Sequence, residues 1–415
     1  MRRQTAEYFD GCLDHANYFA MSRGRSSLVS REWLACREIE GSARPRTVAS
    51  YLLRKAVSQG TARPEPMQFQ TLNYRRLYEG MNYRLRTIAG GRVASFCRPT
   101  SIALLMTERC NARCIHCDIW KNRGREDRPS GEEWKTALHD LRRWLGPVHV
   151  VLTGGEALLN PNTLELVSYG NSIGLFIELL THGFWPDQAK IDQLALGCPA
   201  RVTISFDGVG ETHSLIRGRE YFAATAETSV LNLIRLRRER SLKMRIRLKT
   251  VIMKQNLDDV CNVAWFAKRN GVEVFYQPIE QNYNTAEDSN WFEHSQTWPN
   301  DATKAVGVVR RLCQLKREGL PIANSFAQLE AMIPYFTNPA ASRIAVQSHV
   351  AHEKELLCSA MTTLQIQANG DVRTCMSREA IGNIRRQSVR EIWETRPQWW
   401  KTGCCLNARL QEPVS

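Results

Sequence analysis

From residue 101 onward, short apolar runs alternate with helix-length amphipathic segments. The runs lie at 101–106, 148–152, 175–181, 202–206, 245–251 and 272–277. One intervening segment opens with Ser130 and Glu133, a capping-box pair, followed by Trp134, Leu138, Leu141 and Leu145 at helical spacing. Another opens at Asn160-Pro161, with proline suited to a first helical position. Six strand-helix repeats imply a parallel sheet with helices outside, an α/β fold in the form of a partial (β/α)6 barrel of the TIM type. Such sheets bind ligands at the carboxyl ends of their strands. The chain's chemically distinctive residues all fall there: a cysteine triplet after the first strand, Thr153-Gly154-Gly155-Glu156 after the second, Thr181-His182-Gly183 after the third, Ser205-Phe206-Asp207-Gly208 after the fourth, Lys249-Thr250 on the fifth and Gln277-Pro278 on the sixth.

Other regions pattern differently. Residues 1–99 read as a mixed helical extension broken where Pro, Gly, Ser and Ala gather near 41–46 and 60–66. Tyr74, Leu77, Tyr83 and Leu85 are spaced for a helix that docks on a neighbouring domain. The expected division is 1–99 extension, 100–280 core, 281–354 connecting segment and 355–415 small C-terminal domain. In the connector, Trp291, Phe292, Trp298, Tyr335 and Phe336 read as core-filling aromatics.

Composition narrows the class. The chain has 415 residues with 43% hydrophobic content, enough for substantial cores. No signal-peptide core or membrane-spanning run is visible, so a cytoplasmic protein is expected. The net charge is +14, and residues 1–100 hold 17 Lys and Arg against 8 Asp and Glu. That basic quarter reads as a solvated face or a grip for an acidic partner. Thirteen cysteines, an odd and clustered set, favour metal ligation in a reducing compartment over disulfides.

Cys110, Cys114 and Cys117 have C-x3-C-x2-C spacing, with His116 before the third thiol. Three thiolates can hold an iron-sulfur cube and leave one iron open, whereas structural zinc sites are closed by four ligands. The triplet resembles the motif of radical S-adenosylmethionine enzymes. That resemblance implies a catalytic 4Fe-4S cluster on these three thiolates, S-adenosylmethionine chelated to the free iron, reductive cleavage to a 5'-deoxyadenosyl radical, and an electron from flavodoxin or ferredoxin.

Two further motifs match the family. Gly154, Gly155 and Glu156 resemble its Gly-Gly-Glu element, implying contact with the methionine amino group. Ser205 and Arg217 resemble residues serving the cofactor's carboxylate and ribose; an arginine fork suits a carboxylate. Thr181 and Gln277 are weaker candidates for adenine or ribose contacts. Near the C-terminus, Asn369-Gly370 signals a hairpin that brings Cys375 back towards Cys358. This segment, with 381–384 and 389–393, resembles the SPASM and twitch extensions, which hold auxiliary 4Fe-4S clusters. A full SPASM set needs about seven cysteines, whereas only Cys404 and Cys405 follow Cys375. One auxiliary cluster on Cys358, Cys375 and one or both of the pair is therefore expected. Cys12, Cys36, Cys97, Cys198, Cys261 and Cys313 read as packing thiols.

The resemblance implies hydrogen abstraction from a substrate carbon in a biosynthetic or peptide-maturation step. The substrate is a peptide or a small molecule such as a cofactor, sugar or lipid, and an acidic one would suit the basic extension. A non-catalytic iron-sulfur module that binds nucleic acid is the rival class; no nucleic-acid motif supports it, and it leaves the cofactor motifs without purpose.

Overall fold

The computed structural model describes Tyr74, Leu77, Tyr78, Met81, Asn82, most of residues 96–339 and most of 362–397. All of these belong to one compact unit spanning 67–415. Most of the basic extension lies outside the described residues, as do Cys12, Cys36, Cys358, Cys404 and Cys405.

The six expected strands are present within a residue or two of their expected bounds: β1 (Ser101–Leu105), β2 (His149–Thr153), β3 (Phe176–Thr181), β4 (Arg201–Ser205), β5 (Arg245–Ile252) and β6 (Glu273–Pro278). They pair in parallel and in sequence order. Between them run α1 (Gly131–Leu145), α2 (Thr163–Ser172), α3 (Ala189–Gly197), α4 (Glu211–Arg217), α5 (Phe222–Glu239) and α6 (Val260–Asn270). The capping box at α1 forms as expected: Ser130 Oγ accepts from the Glu133 amide at 3.2 Å, and Glu133 accepts from the Ser130 amide at 2.7 Å. Trp134, Leu138, Leu141 and Leu145 are its buried stripe. At α2 the helix starts later than the proline suggested, at Thr163. Asn160 has another task, donating to the Met106 carbonyl at 2.6 Å while accepting from the Asn162 amide.

Strand alternation divides the sheet into two chemically different faces. Leu104, Leu152, Leu179, Ile204, Leu248 and Val274 belong to the hydrophobic core. The alternate positions include Ala103, Thr153, Glu178, Thr203, Ser205 and Lys249. In this second set Glu178 takes hydrogen bonds from His149 at 2.7 Å and Thr203 at 2.5 Å, and pairs with Arg201. Glu273 likewise binds Arg245 and Arg247. These charged groups sit at or near the starts of their strands, away from the rim that carries the motifs.

Beyond β6 come α7 (Trp291–His294), α8 (Ala302–Arg317), α9 (Phe326–Glu330) and α10 (Met332–Thr337). Trp291, Trp298 and Phe336 are buried there, as core residues should be. Strands β7 (Thr363–Ile366), β8 (Asp371–Arg373) and β9 (Gly382–Asn383) follow, then α11 (Val389–Glu394). The Asn369-Gly370 hairpin forms, with Gly370 at φ +88°. Its strands do not make a separate layer: β7 pairs in parallel with β1, and the order is β6-β5-β4-β3-β2-β1-β7-β8-β9. The sheet is thus an open, one-ended extension of the six-stranded core.

The chain before β1 docks, but not through the expected stripe: Leu77 is exposed, and Tyr83 and Leu85 lie outside the described residues. Tyr78 donates to the Leu145 carbonyl at the end of α1, at 2.7 Å. Trp393 of α11 donates to the Cys97 carbonyl at 2.8 Å and packs beside Trp144.

Candidate functional site

The chain leaving β1 forms the cysteine loop, and backbone contacts clamp it from two sides. On one side, the Gly155 and Glu156 amides donate to the carbonyls of Thr107 and Arg109, each at 2.8 Å. A β-carbon on Gly154, which has φ +135°, would lie 2.3 Å from the Thr107 oxygen; one on Gly155 would lie 2.4 Å from that of Arg109. The glycine pair is therefore required by the closeness of two backbones. On the other side, the Arg113 and Ile115 amides donate to the carbonyls of Arg217 and Ile216 at 2.9 and 3.0 Å. Inside the loop, the Arg113 guanidinium donates to the carbonyls of Cys110 and Ala112 at 3.0 and 2.7 Å.

Cys110, Cys114 and Cys117 all line one cavity of about 490 Å³, a volume typical of small-molecule sites. Burial pushes the Cys110 thiol up to about 12 and raises Cys114 and Cys117 from their ordinary value. Thiols this desolvated ionise when a cationic centre takes the charge, which is the chemistry of a metal ligand set. Among the described residues no three His, Cys, Asp or Glu groups are placed to hold a single ion. Three cysteine thiols around one cavity are the donor type that iron-sulfur clusters take.

The other expected residues distribute around this space. Gly154, Gly155, Thr181, Ser205, Arg217 and Gln277 are on the cavity wall. Glu156 lies beneath it. Its buried carboxylate accepts from Thr181 Oγ1 at 2.9 Å and from the amides of His182 and Leu158 at 2.8 and 3.2 Å, tying the end of β2 to the end of β3. Burial raises its pKa to about 7. Arg217 is committed as well: Nη2 pairs with Asp207 Oδ2 at 2.5 Å, and Nη1 lies 3.5 Å from Cys114 Sγ. Burial disfavours the Asp207 carboxylate, but the Arg217 guanidinium more than offsets this and holds its pKa below the usual range. His116 also lines the cavity, and burial lowers its pKa to about 4. Cys375 lies just past β8 and is half-buried. Cys97 and Cys313 are buried, consistent with packing roles.

Several residues that the sequence placed on the rim were given no role there. His182 holds the loop residue Asn111 through Nε2 at 2.6 Å. Asp207, in the segment that ends the fourth strand, is the counter-charge of Arg217. Lys249, between Leu248 and Thr250 in an apolar run, lines the cavity. A charged residue inside such a run was the available signal for it, as it was for Glu178.

Comparison with known proteins agrees with this geometry. The family model for the radical SAM superfamily matches residues 104–264, and one for an iron-sulfur cluster-binding domain, SPASM, matches 358–402. The AdoMet-dependent heme synthase of Methanosarcina barkeri is 25% identical over 319 residues, 71% of this chain and 82% of that protein. A PqqA peptide cyclase of Rhodopseudomonas palustris is 29% identical over 191 residues, 45% of this chain and 49% of its own length. Among solved structures, Streptococcus suis SuiB bound to S-adenosylmethionine superposes with a TM-score of 0.57 at 13% identity, covering 86% of this chain and 77% of SuiB, a likeness of fold. No helix among the described residues is long and apolar enough to cross a membrane. With three thiols around one cavity at the carboxyl rim of a parallel sheet, and both family models matching in the expected order, the chain carries a radical S-adenosylmethionine domain over residues 104–264 followed by a SPASM domain, and the relatives that share the first are enzymes of radical chemistry.

Proposed function

We propose that Cys110, Cys114 and Cys117 hold a 4Fe-4S cluster and that S-adenosylmethionine occupies the adjoining cavity. Reductive cleavage of that cofactor to methionine and a 5'-deoxyadenosyl radical, which takes hydrogen from a substrate carbon, is the chemistry the bound cluster supplies. The single observation carrying the reading is that all three thiols, the Gly154-Gly155 turn, Ser205 and Gln277 line one cavity. Gly154, Gly155, Thr181, Ser205 and Gln277 contact the cofactor. Glu156 acts from below by fixing Thr181, and Arg217 sets the electrostatics beside Cys114. The apolar wall of Leu105, Leu180, Val251 and Ile279 keeps water from the reacting carbon.

We assign residues 100–280 to the radical core, 281–354 to the connector and 355–415 to an extension with one twitch-like auxiliary cluster on Cys358, Cys375 and one or both of Cys404 and Cys405. A flavodoxin or ferredoxin supplies the electron, in the cytoplasm. The substrate is a peptide or a compact small molecule. Similarity to PqqA peptide cyclases supports the first, and the longer match to the heme synthase supports the second.

The test is anaerobic reconstitution of wild type and a C110A/C114A/C117A variant, with iron counts and 5'-deoxyadenosine assays under reduction. About eight irons in wild type and about four in the variant, with cleavage lost, is the expected result, because each cube has its own thiolates. Fully loaded wild type that forms no 5'-deoxyadenosine sinks the reading.

A further inference from the structure

Lys249 is the unexplained charge of the cavity. It lies on β5 beside Ser205 of β4, its register partner, and both line the cavity. No hydrogen bond or ion pair joins its ammonium to any described residue, although burial lowers its pKa from 10.5. Three carboxylates influence it, and none serves it. Glu178 is taken by His149, Arg201 and Thr203. Asp207 is taken by Arg217 and by the Val251 amide at 2.9 Å. Glu280 is exposed and forms no ion pair with it. Lys249 is half-buried, and an ammonium partly withdrawn from water without a protein partner gains when an anion arrives.

A second group points to the same space. Gln365 on β7 lines the cavity, and its Oε1 is buried without a hydrogen bond. Its amide is therefore free to turn and donate to an anion. The cofactor brings a single carboxylate, for which the reading above already provides the open iron and Ser205. His116 feels the charge of Lys249, so this cation and the cysteine loop share one chamber.

We infer that Lys249, assisted by Gln365, anchors a carboxylate of the substrate, so that the enzyme acts on a carboxylate-bearing compound or side chain held beside the radical. This rests on the proposed function. It makes Lys249 a binding residue that fixes which substrate carbon faces the radical.

The test uses the reconstituted full-length protein and follows acetylation of Lys249 by an N-hydroxysuccinimide ester, read by mass spectrometry. The probes are glutarate and its neutral analogue glutaramide, each with saturating S-adenosylmethionine. Glutarate should slow Lys249 acetylation by about fivefold and glutaramide should not, since a charge-assisted contact is worth that much. Glutarate binding to the variants is read by isothermal titration calorimetry: Lys249→Met should lose it and Lys249→Arg should keep it, with iron content and melting temperature checking the fold of each. The inference is overturned if S-adenosylmethionine alone gives the protection and Lys249→Met weakens its binding about tenfold, because the lysine then serves the cofactor. It is also overturned if neither probe protects. Formation of 5'-deoxyadenosine is measured in the same preparation. Its absence alongside glutarate protection would reject the radical reading and leave the anion site standing.

Discussion

Gly218 approaches Arg113 so closely that a β-carbon on the glycine would lie 2.2 Å from the arginine's carbonyl oxygen. Its φ of +60° also disfavours any side chain. The contact joins the end of α4 to the middle of the cysteine loop, so the loop's shape depends on a residue about a hundred positions away. Gly218→Ala should leave the sheet intact by circular dichroism and lower stability by about 1–2 kcal/mol. It should also cut reconstituted iron by about four per chain, because the three thiols no longer line one cavity. Unchanged iron content would show that the loop tolerates displacement.

Asp207 and Arg217 form a buried pair beside Cys114. Asp207→Asn strands a buried guanidinium and should cost about 3 kcal/mol in urea unfolding. Adding Arg217→Met should recover part of that loss, since the lone charge is the main penalty. A double variant no more stable than Asp207→Asn would rule out the pair as the cause.

Glu178 gives a pH signature. Burial opposes its ionisation, but hydrogen bonds from His149 and Arg201 prevail and hold its carboxyl well below the ordinary 4.5. A depressed folded-state pKa contributes stability that is complete above about 4.5 and drains away as pH falls below it. Glu178→Gln should therefore be less stable than wild type by about 3 kcal/mol at pH 7, with the gap closing progressively below pH 4.5. Chemical denaturation across pH 3–7 measures this, and a constant gap contradicts it.

Cys375 tests the auxiliary cluster. Cys375→Ser should lower iron by about four per chain while the cleavage of S-adenosylmethionine to 5'-deoxyadenosine persists, since Cys110, Cys114 and Cys117 are untouched. Full iron retention would return Cys375 to the packing thiols.

The β-strands and the cysteine motif were legible because period-2 apolar runs and a tight cysteine triplet are local signals. The capping box at Ser130 and the hairpin at Asn369-Gly370 were legible for the same reason. The roles of Glu178, Asp207 and Lys249 were not, because each depends on what neighbouring elements place around it. Glu156 shows the same limit: its place beside two glycines suggested a ligand contact, whereas its bonds to Thr181 and His182 depend on how β3 ends. The sharing of one sheet by β7 and β1 was also out of reach, since nothing local to either strand announces a partner some 260 residues away.

The pairing of β7 with β1 bears on how such proteins can be shortened or recombined. β1 leads into the cysteine loop, yet half of its ladder is supplied by the C-terminal segment. A chain cut before Thr363 would turn this inner strand into a raw edge, with bare amides and carbonyls next to the cysteine loop. Exposed edges recruit other strands, so the truncated protein should self-associate instead of behaving as a smaller enzyme. The extension is not a detachable module, and replacing it means remaking the border on which the cysteine loop is built.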